Sequence, residues 1–143
     1  MVLRGAYCLC IDVSADIEVR VGSLGLIAFP PGGYVYVGSA LNSLEPRITR
    51  HMKTSEGKHH VTHWHIDYLL REPAVTLESI YYTESGVRME CLLAARVADY
   101  GGPVEGFGCS DCKCRSHLYR VKGFDFLEKM GLKRWATGSS RRP

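Results

Sequence analysis

"GGYVYVGSALNSLEPRITRH", residues 32–51, sets a tyrosine-bearing strand directly before a basic helix. Tyr34 and Tyr36 alternate with Val35 and Val37, so both phenols leave one face of the strand. This reading ends the strand at Gly38 and turns the chain through Ser39, Ala40 and Asn42. The helix that follows has Ser43 as its cap, Glu45 in its first turn and Pro46 early enough to be tolerated. Leu44, Ile48 and Met52 form one apolar stripe, which puts Arg47 and Arg50 on other faces. A strand end therefore aims a phenol toward the place where a helix aims a guanidinium.

On the N-terminal side, "GAYCLCIDV" (5–13) alternates small or polar groups with apolar ones and reads as a strand. "IEVRVG" and "LGLIAF" make a further hairpin around Gly22-Ser23, and Pro30-Pro31-Gly32-Gly33 is a tight connection. On the C-terminal side, residues 55–60 are a loop, and Thr62 opens a helix "HWHIDYLLRE" that Pro73 ends. "AVTLESIYYT" is the next strand and "VRMECLLAARVADY" (87–100) a third helix, with Val87, Cys91, Ala94 and Ala98 as its buried stripe. A glycine-rich loop covers 101–108, "HLYRVK" is a late strand, and "FDFLEKMG" a short helix. The pattern predicts an α+β fold: a small, mainly antiparallel sheet flanked by helices, with an extra N-terminal hairpin and a basic C-terminal extension. Residues 1–135 form one domain, and 136–143 a disordered tail.

The bulk numbers narrow the class. Hydrophobic content of 45% and charged content of 23% are ordinary globular values. No apolar run reaches the ~20 residues of a membrane span, and "MVLRGAY" lacks a signal-peptide core. A cytoplasmic protein without a membrane partner is expected. The net charge of +3 is uneven: residues 113–143 hold nine Lys/Arg against two acids, a net of +7, which leaves −4 for residues 1–112. A basic C-terminal third suits a polyanion, and equally a solvated surface. Gln is absent and Asn42 is the only Asn, a depletion of thermolabile amides that fits a thermophile. In such an organism the redox state of six cysteines is open.

"GAY" at 5–7, "YVG" at 36–38 and the Arg-x-x-Arg-His run at 47–51 resemble the signature of the GIY-YIG nuclease superfamily. "GYVYVGSA", "HWHIDYLL", "ECLLA" and "SDCKCRSHL" extend the resemblance over residues 3–122. They are similar to a small uncharacterised branch that is sometimes fused to endonuclease-III-type DNA glycosylases. The resemblance implies a metal-dependent endonuclease acting on DNA in repair or recombination, with Mg or Mn as cofactor. RNA as a substrate and a DNA-repair glycosylase as a partner are also compatible with it. It places catalytic roles on Tyr7, Tyr36, Arg47 and His51, and gives Glu90 the metal. Nucleic-acid contacts are expected from Arg50, Lys113, Arg115, Lys133 and Arg134.

The chemistry asks for these residue types. Phosphodiester cleavage needs water deprotonated, negative charge on phosphorus offset and the leaving oxygen stabilised. A tyrosine serves as base if nearby positive charge lowers its pKa from ~10. Arg47 is the natural source, because its planar fork also suits a phosphate. Taken singly, Tyr36 reads as sheet packing and Arg47 or Glu90 as a surface charge; it is the joint pattern that favours a site. The chain departs from the superfamily in carrying Ala6 where Ile is usual and in adding the hairpin at 16–29. It has one extra residue before Arg47 and no late Asn, for which His117 or Ser116 is the substitute.

Two clusters stand apart. Cys109-x-x-Cys112-x-Cys114-x-x-His117 offers four zinc-type ligands in a spacing more compact than common fingers; packed thiols or a disulfide are the alternative. In "HHVTHWHID", His63 and Asp67 lie four apart and pair on a helix face, either as a metal site or as a brace for the active site. Two other classes remain beside the nuclease: a non-catalytic nucleic-acid-binding module of this fold, and a zinc-stabilised interaction module.

Overall fold

A strand buried on both faces organises the molecule. The computed structural model describes residues 2–109 and 114–136, and in it β1 (Gly5–Val13) is covered from both sides. Its odd-numbered side chains Tyr7, Leu9, Ile11 and Val13 join one apolar cluster, while Ala6, Cys8 and Cys10 join another. That is the period-two consequence of a strand lying between two layers.

The order of elements is β1, β2 (Ile17–Arg20), β3 (Leu26–Phe29), β4 (Gly32–Ala40), α1 (Leu44–Ser55), α2 (His65–Leu70), β5 (Val75–Glu84), α3 (Glu90–Val97), β6 (Gly101–Pro103), β7 (Leu118–Val121), α4 (Asp125–Lys129) and β8 (Lys133–Arg134). The main sheet runs β6-β7-β4-β1-β5-β8, with antiparallel pairing throughout, and β2-β3 form a separate hairpin. The expected α+β class, antiparallel sheet and added hairpin are all present. No helix among the described residues is long and apolar enough to cross a membrane.

Leu44 and Ile48 of α1 and Ile66, Leu69 and Leu70 of α2 pack on the face that carries Tyr7, Tyr34 and Tyr36. Leu93, Ala94 and Val97 of α3, with Phe126 and Leu127 of α4, cover the opposite face against Val35 and Val37.

Several local expectations are corrected here. Gly38 does not stop β4, which continues to Ala40, and Gly32 and Gly33 belong to the strand rather than to the turn before it. Ser43 holds the N-cap position of α1 in extended backbone, but its side chain makes no capping bond. The second helix starts at His65, not after Thr62, because the Asp67 carboxylate accepts from the N–H groups of His63 and Trp64 at 2.8 and 3.0 Å and caps it there. The third helix starts at Glu90. Val87 is exposed, and the buried stripe is Leu93, Ala94 and Val97. Positions 90, 93, 94 and 97 have helical spacing, so Glu90 itself heads that stripe. The glycine-rich loop contains the short strand β6. Residues 137–143, the bulk of the expected tail, lie outside the described residues, as do Cys112 and Lys113.

Candidate active site

The register between β1 and β4 places Tyr7 directly opposite Gly38. A Cβ at position 38 would stand 2.5 Å from the Tyr7 phenol, so only glycine lets that ring lie across β4. The "GAY" and "YVG" segments are thus two halves of one packing unit. The side chain of the next residue, Ser39, leaves the opposite face and donates its hydroxyl to Glu90 Oε1 at 2.5 Å. Arg47, one turn into α1, donates through Nη1 to the Ser39 carbonyl at 2.9 Å. β4, α1 and α3 therefore bring phenol, guanidinium and carboxylate to one cleft of about 460 Å³. Its lining includes Tyr7, Tyr36, Arg47, Arg88, Glu90 and His117.

Tyr7 Oη lies 2.7 Å from His51 Nε2, and both side chains are buried. Burial holds His51 neutral and lowers its pKa to about 3; Asp67 opposes that shift, and Arg47 and Arg50 add to it. Burial also raises the Tyr7 phenol well above its ordinary range, and Arg47 pulls it only part of the way back. The expected lowering of the phenol by Arg47 is therefore reversed: losing water costs the phenolate more than one guanidinium returns. Tyr36 is raised likewise, by burial first and then by Tyr7 and Glu90. The resting proton stays on the phenol, with a neutral imidazole within hydrogen-bond distance.

This pairing has a stability consequence. The unfolded chain protonates its histidine below ~6.5, whereas folded His51 does so only near 3. Between those values the unfolded state binds more protons, so stability falls as pH falls, by up to ~1.4 kcal/mol per pH unit for one proton. Urea unfolding between pH 7 and 5 should show this slope, to which the half-buried His65 and the buried His117 add in the same direction, and His51→Leu should make it shallower. An equally steep slope in the variant would count against a neutral buried His51.

The indole of Trp64 lies between two guanidinium groups, with Arg47 Cζ 4.5 Å and Arg50 Cζ 4.3 Å from its centroid. Arg50 turns inward: it meets Asp67 Oδ2 at 3.1 Å, His59 Nε2 at 2.9 Å and the Val61 carbonyl at 3.1 Å. Arg50, expected to contact nucleic acid, is thus engaged with Asp67 and His59, and the expected His63–Asp67 side-chain pair becomes a backbone cap. Removing the buried carboxylate would strand the Arg50 charge. Asp67→Ala should cost about 3–5 kcal/mol, read as a lower urea midpoint at unchanged slope. A midpoint within error of wild type would show that the pair is dispensable.

The remaining expected residues scatter. Arg115 is exposed and paired with Glu105 at 2.5 Å, while Lys133 and Arg134 lie exposed on β8, away from the cleft. Ser116 does not reach the cleft; its buried hydroxyl bonds the Val104 and Leu118 carbonyls. His117 does line the cleft, with Nδ1 3.4 Å from Glu90 Oε2. Cys109 donates to the Phe107 carbonyl. Of the expected set Cys109, Cys112, Cys114 and His117, Cys112 lies outside the described residues, and Cys114 and His117 group with Cys91, the three ligand atoms all lying within 4.8 Å of one another. Among the described residues this is the one cluster of three or more such side chains at that spacing, and His63 and Asp67 are not part of it.

Gly108, at φ +76°, donates its N–H to His65 Nδ1 at 2.8 Å and leaves no room beside His117, where a Cβ would come within 3.1 Å. Ser39, Trp64 and Arg88 are cleft residues that sequence reasoning did not single out. The alternation along β4 could have found Ser39, since Gly38 and Ser39 must face opposite sides.

No curated protein and no solved structure matches this chain. A family model does match, that of a domain of unknown function, DUF123, over residues 6–134.

Proposed function

This chain belongs to the DUF123 family, and we propose, from the sequence resemblance and the cleft, that it is a GIY-YIG-type endonuclease, hydrolysing phosphodiester bonds in DNA with a divalent metal, in repair or recombination. The observation that carries the reading is the convergence of Tyr7 on His51, Arg47 on the Ser39 carbonyl and Glu90 on Ser39, all at one cleft.

Glu90 fits a hard cation. It is the one carboxylate among the described residues lining the cleft, and its side chain is 19% exposed. Ser39 and, at 3.6 Å, Arg88 Nη1 face its Oε1, and His117 faces its Oε2, which keeps a further lone pair for a cation. Magnesium needs only one or two carboxylates, because it keeps several waters. Glu90 would hold the ion, which when bound supplies Lewis-acid polarisation of the phosphate.

The chain's own residues do the rest. Water gives a proton to the Tyr7 oxygen as the phenol's own proton passes to His51 Nε2, so no free phenolate is required. Asp67 favours the imidazolium that forms. The Arg47 fork, held by Ser39 and stacked on Trp64, offers further N–H donors to phosphate oxygens in the transition state. Tyr36 packs at right angles to His51, at 6.3 Å, and keeps its ring in place.

A panel of end-labelled duplex, nicked, branched and single-stranded DNA, with matched RNA, tests the proposal. Cleavage of at least one DNA member with Mg²⁺ or Mn²⁺, lost in EDTA, is expected. No cleavage of any member, with binding retained, would favour a non-catalytic module.

A further inference from the structure

We propose that Cys91, Cys114 and His117 bind one zinc ion, at a site separate from the hard-cation position at Glu90 and linked to it through the imidazole of His117. Cys91 comes from the first turn of α3, and Cys114 and His117 come from the segment that leads into β7. Their ligand atoms lie within 4.8 Å of one another, and Cys91 Sγ stands 3.9 Å from His117 Nε2. A tetrahedral zinc with Zn–S of ~2.3 Å and Zn–N of ~2.0 Å sets S···N edges at roughly 3.5 Å. The Cys91–His117 edge is a few tenths of an ångström longer than that, and the edges to Cys114 close from at most 4.8 Å.

Three features go beyond a chance meeting of thiols. First, the ligand types are right: two sulfurs and an imidazole select zinc over the oxygen-loving cations proposed for Glu90. Second, the charge balances. Two thiolates cancel a dication, so the complex adds no net charge beside a histidine that is only 2% exposed. Third, the other ring nitrogen is held: Nδ1 faces Glu90 Oε2 at 3.4 Å, so a carboxylate orients the imidazole and leaves Nε2 toward the sulfurs. Zinc would tie the start of α3 to the entrance of β7. Glu90, the residue next to Cys91, would then be fixed from both sides, by Ser39 and by metal-bound His117.

The test needs no nuclease activity, so it stands or falls apart from the function proposed above. The full chain, purified without chelator, is assayed for zinc by plasma mass spectrometry; it is then stripped under reducing conditions and titrated with Co²⁺. One zinc per chain is expected, with a thiolate-to-cobalt charge-transfer band in the near ultraviolet. Cys91→Ser and Cys114→Ser should each remove a large share of that band, and Cys8→Ala, in the core beneath α3 but not among the three ligands, should leave it intact. Wild-type protein without zinc that also yields no band, or a band unchanged by Cys91→Ser, would overturn the site. Should the serine variants fail to fold, thiol alkylation of wild type decides: zinc should protect two cysteines, and identical labelling with and without zinc would overturn the site.

Discussion

Glu90→Gln should give a folded protein that still binds DNA but cleaves it ~10²-fold or more slowly, since one transition-state electrostatic contact is worth about that much. The two side chains have nearly the same size, and a glutamine oxygen can still accept from the Ser39 hydroxyl, so the head of the α3 stripe should pack as before. What is lost is the charge that holds a divalent cation. Excess Mn²⁺ should restore part of the rate, because a weaker site fills at higher concentration. Circular dichroism and a binding titration establish that the variant is intact. Normal cleavage by such a protein would remove Glu90 from the chemistry and leave the fold untouched.

Arg47→Ala carries the second large effect, a fall in turnover of ~10²–10³ if its guanidinium offsets charge that develops on phosphorus. The structure adds a refinement. Arg47 is stacked on Trp64 and anchored on the Ser39 carbonyl, so its value lies in a fixed fork as much as in a charge. Arg47→Lys keeps the charge without the fork and should recover only a fraction of the rate. The loss should appear in kcat with little change in KM, the mark of an interaction made in the transition state. Turnover within twofold of wild type would take Arg47 out of the site.

The main sheet was readable because its central strands obey a simple alternation. Odd and even positions of 5–13 and 34–37 separate cleanly into two apolar clusters. The two edge strands β6 and β8 leave no trace in the sequence, because three and two residues carry no periodic signal. The α3 boundary was misread because Val87 is apolar yet exposed, so the apparent stripe began three residues early and displaced Glu90 from its head. Gly38 looked like a stop signal, whereas its lack of a side chain serves the ring of Tyr7 opposite. That contact joins residues 31 apart and has no local trace. Asp67 was read against His63 by helical spacing, but its carboxylate is used by backbone N–H groups and Arg50. Cys91 was assigned to packing, because a helix residue gives no hint of cysteines more than twenty positions away.

The phenol pKa was the weakest step of the reading from sequence. Counting charges predicts a lowered value, while burial raises it, and burial is a tertiary property. The pairing of Tyr7 with a neutral His51 supplies an acceptor that charge counting alone did not require.

Single-turnover cleavage of a susceptible DNA in oxygen-18 water tests the central claim most directly, with wild type and a Glu90→Gln/Arg47→Ala double variant purified side by side. Wild type should cleave in a metal-dependent way and leave one solvent oxygen in the product phosphate, and the double variant should show no cleavage above background. Equal yields from the two preparations, or a product phosphate without solvent oxygen, would contradict that claim.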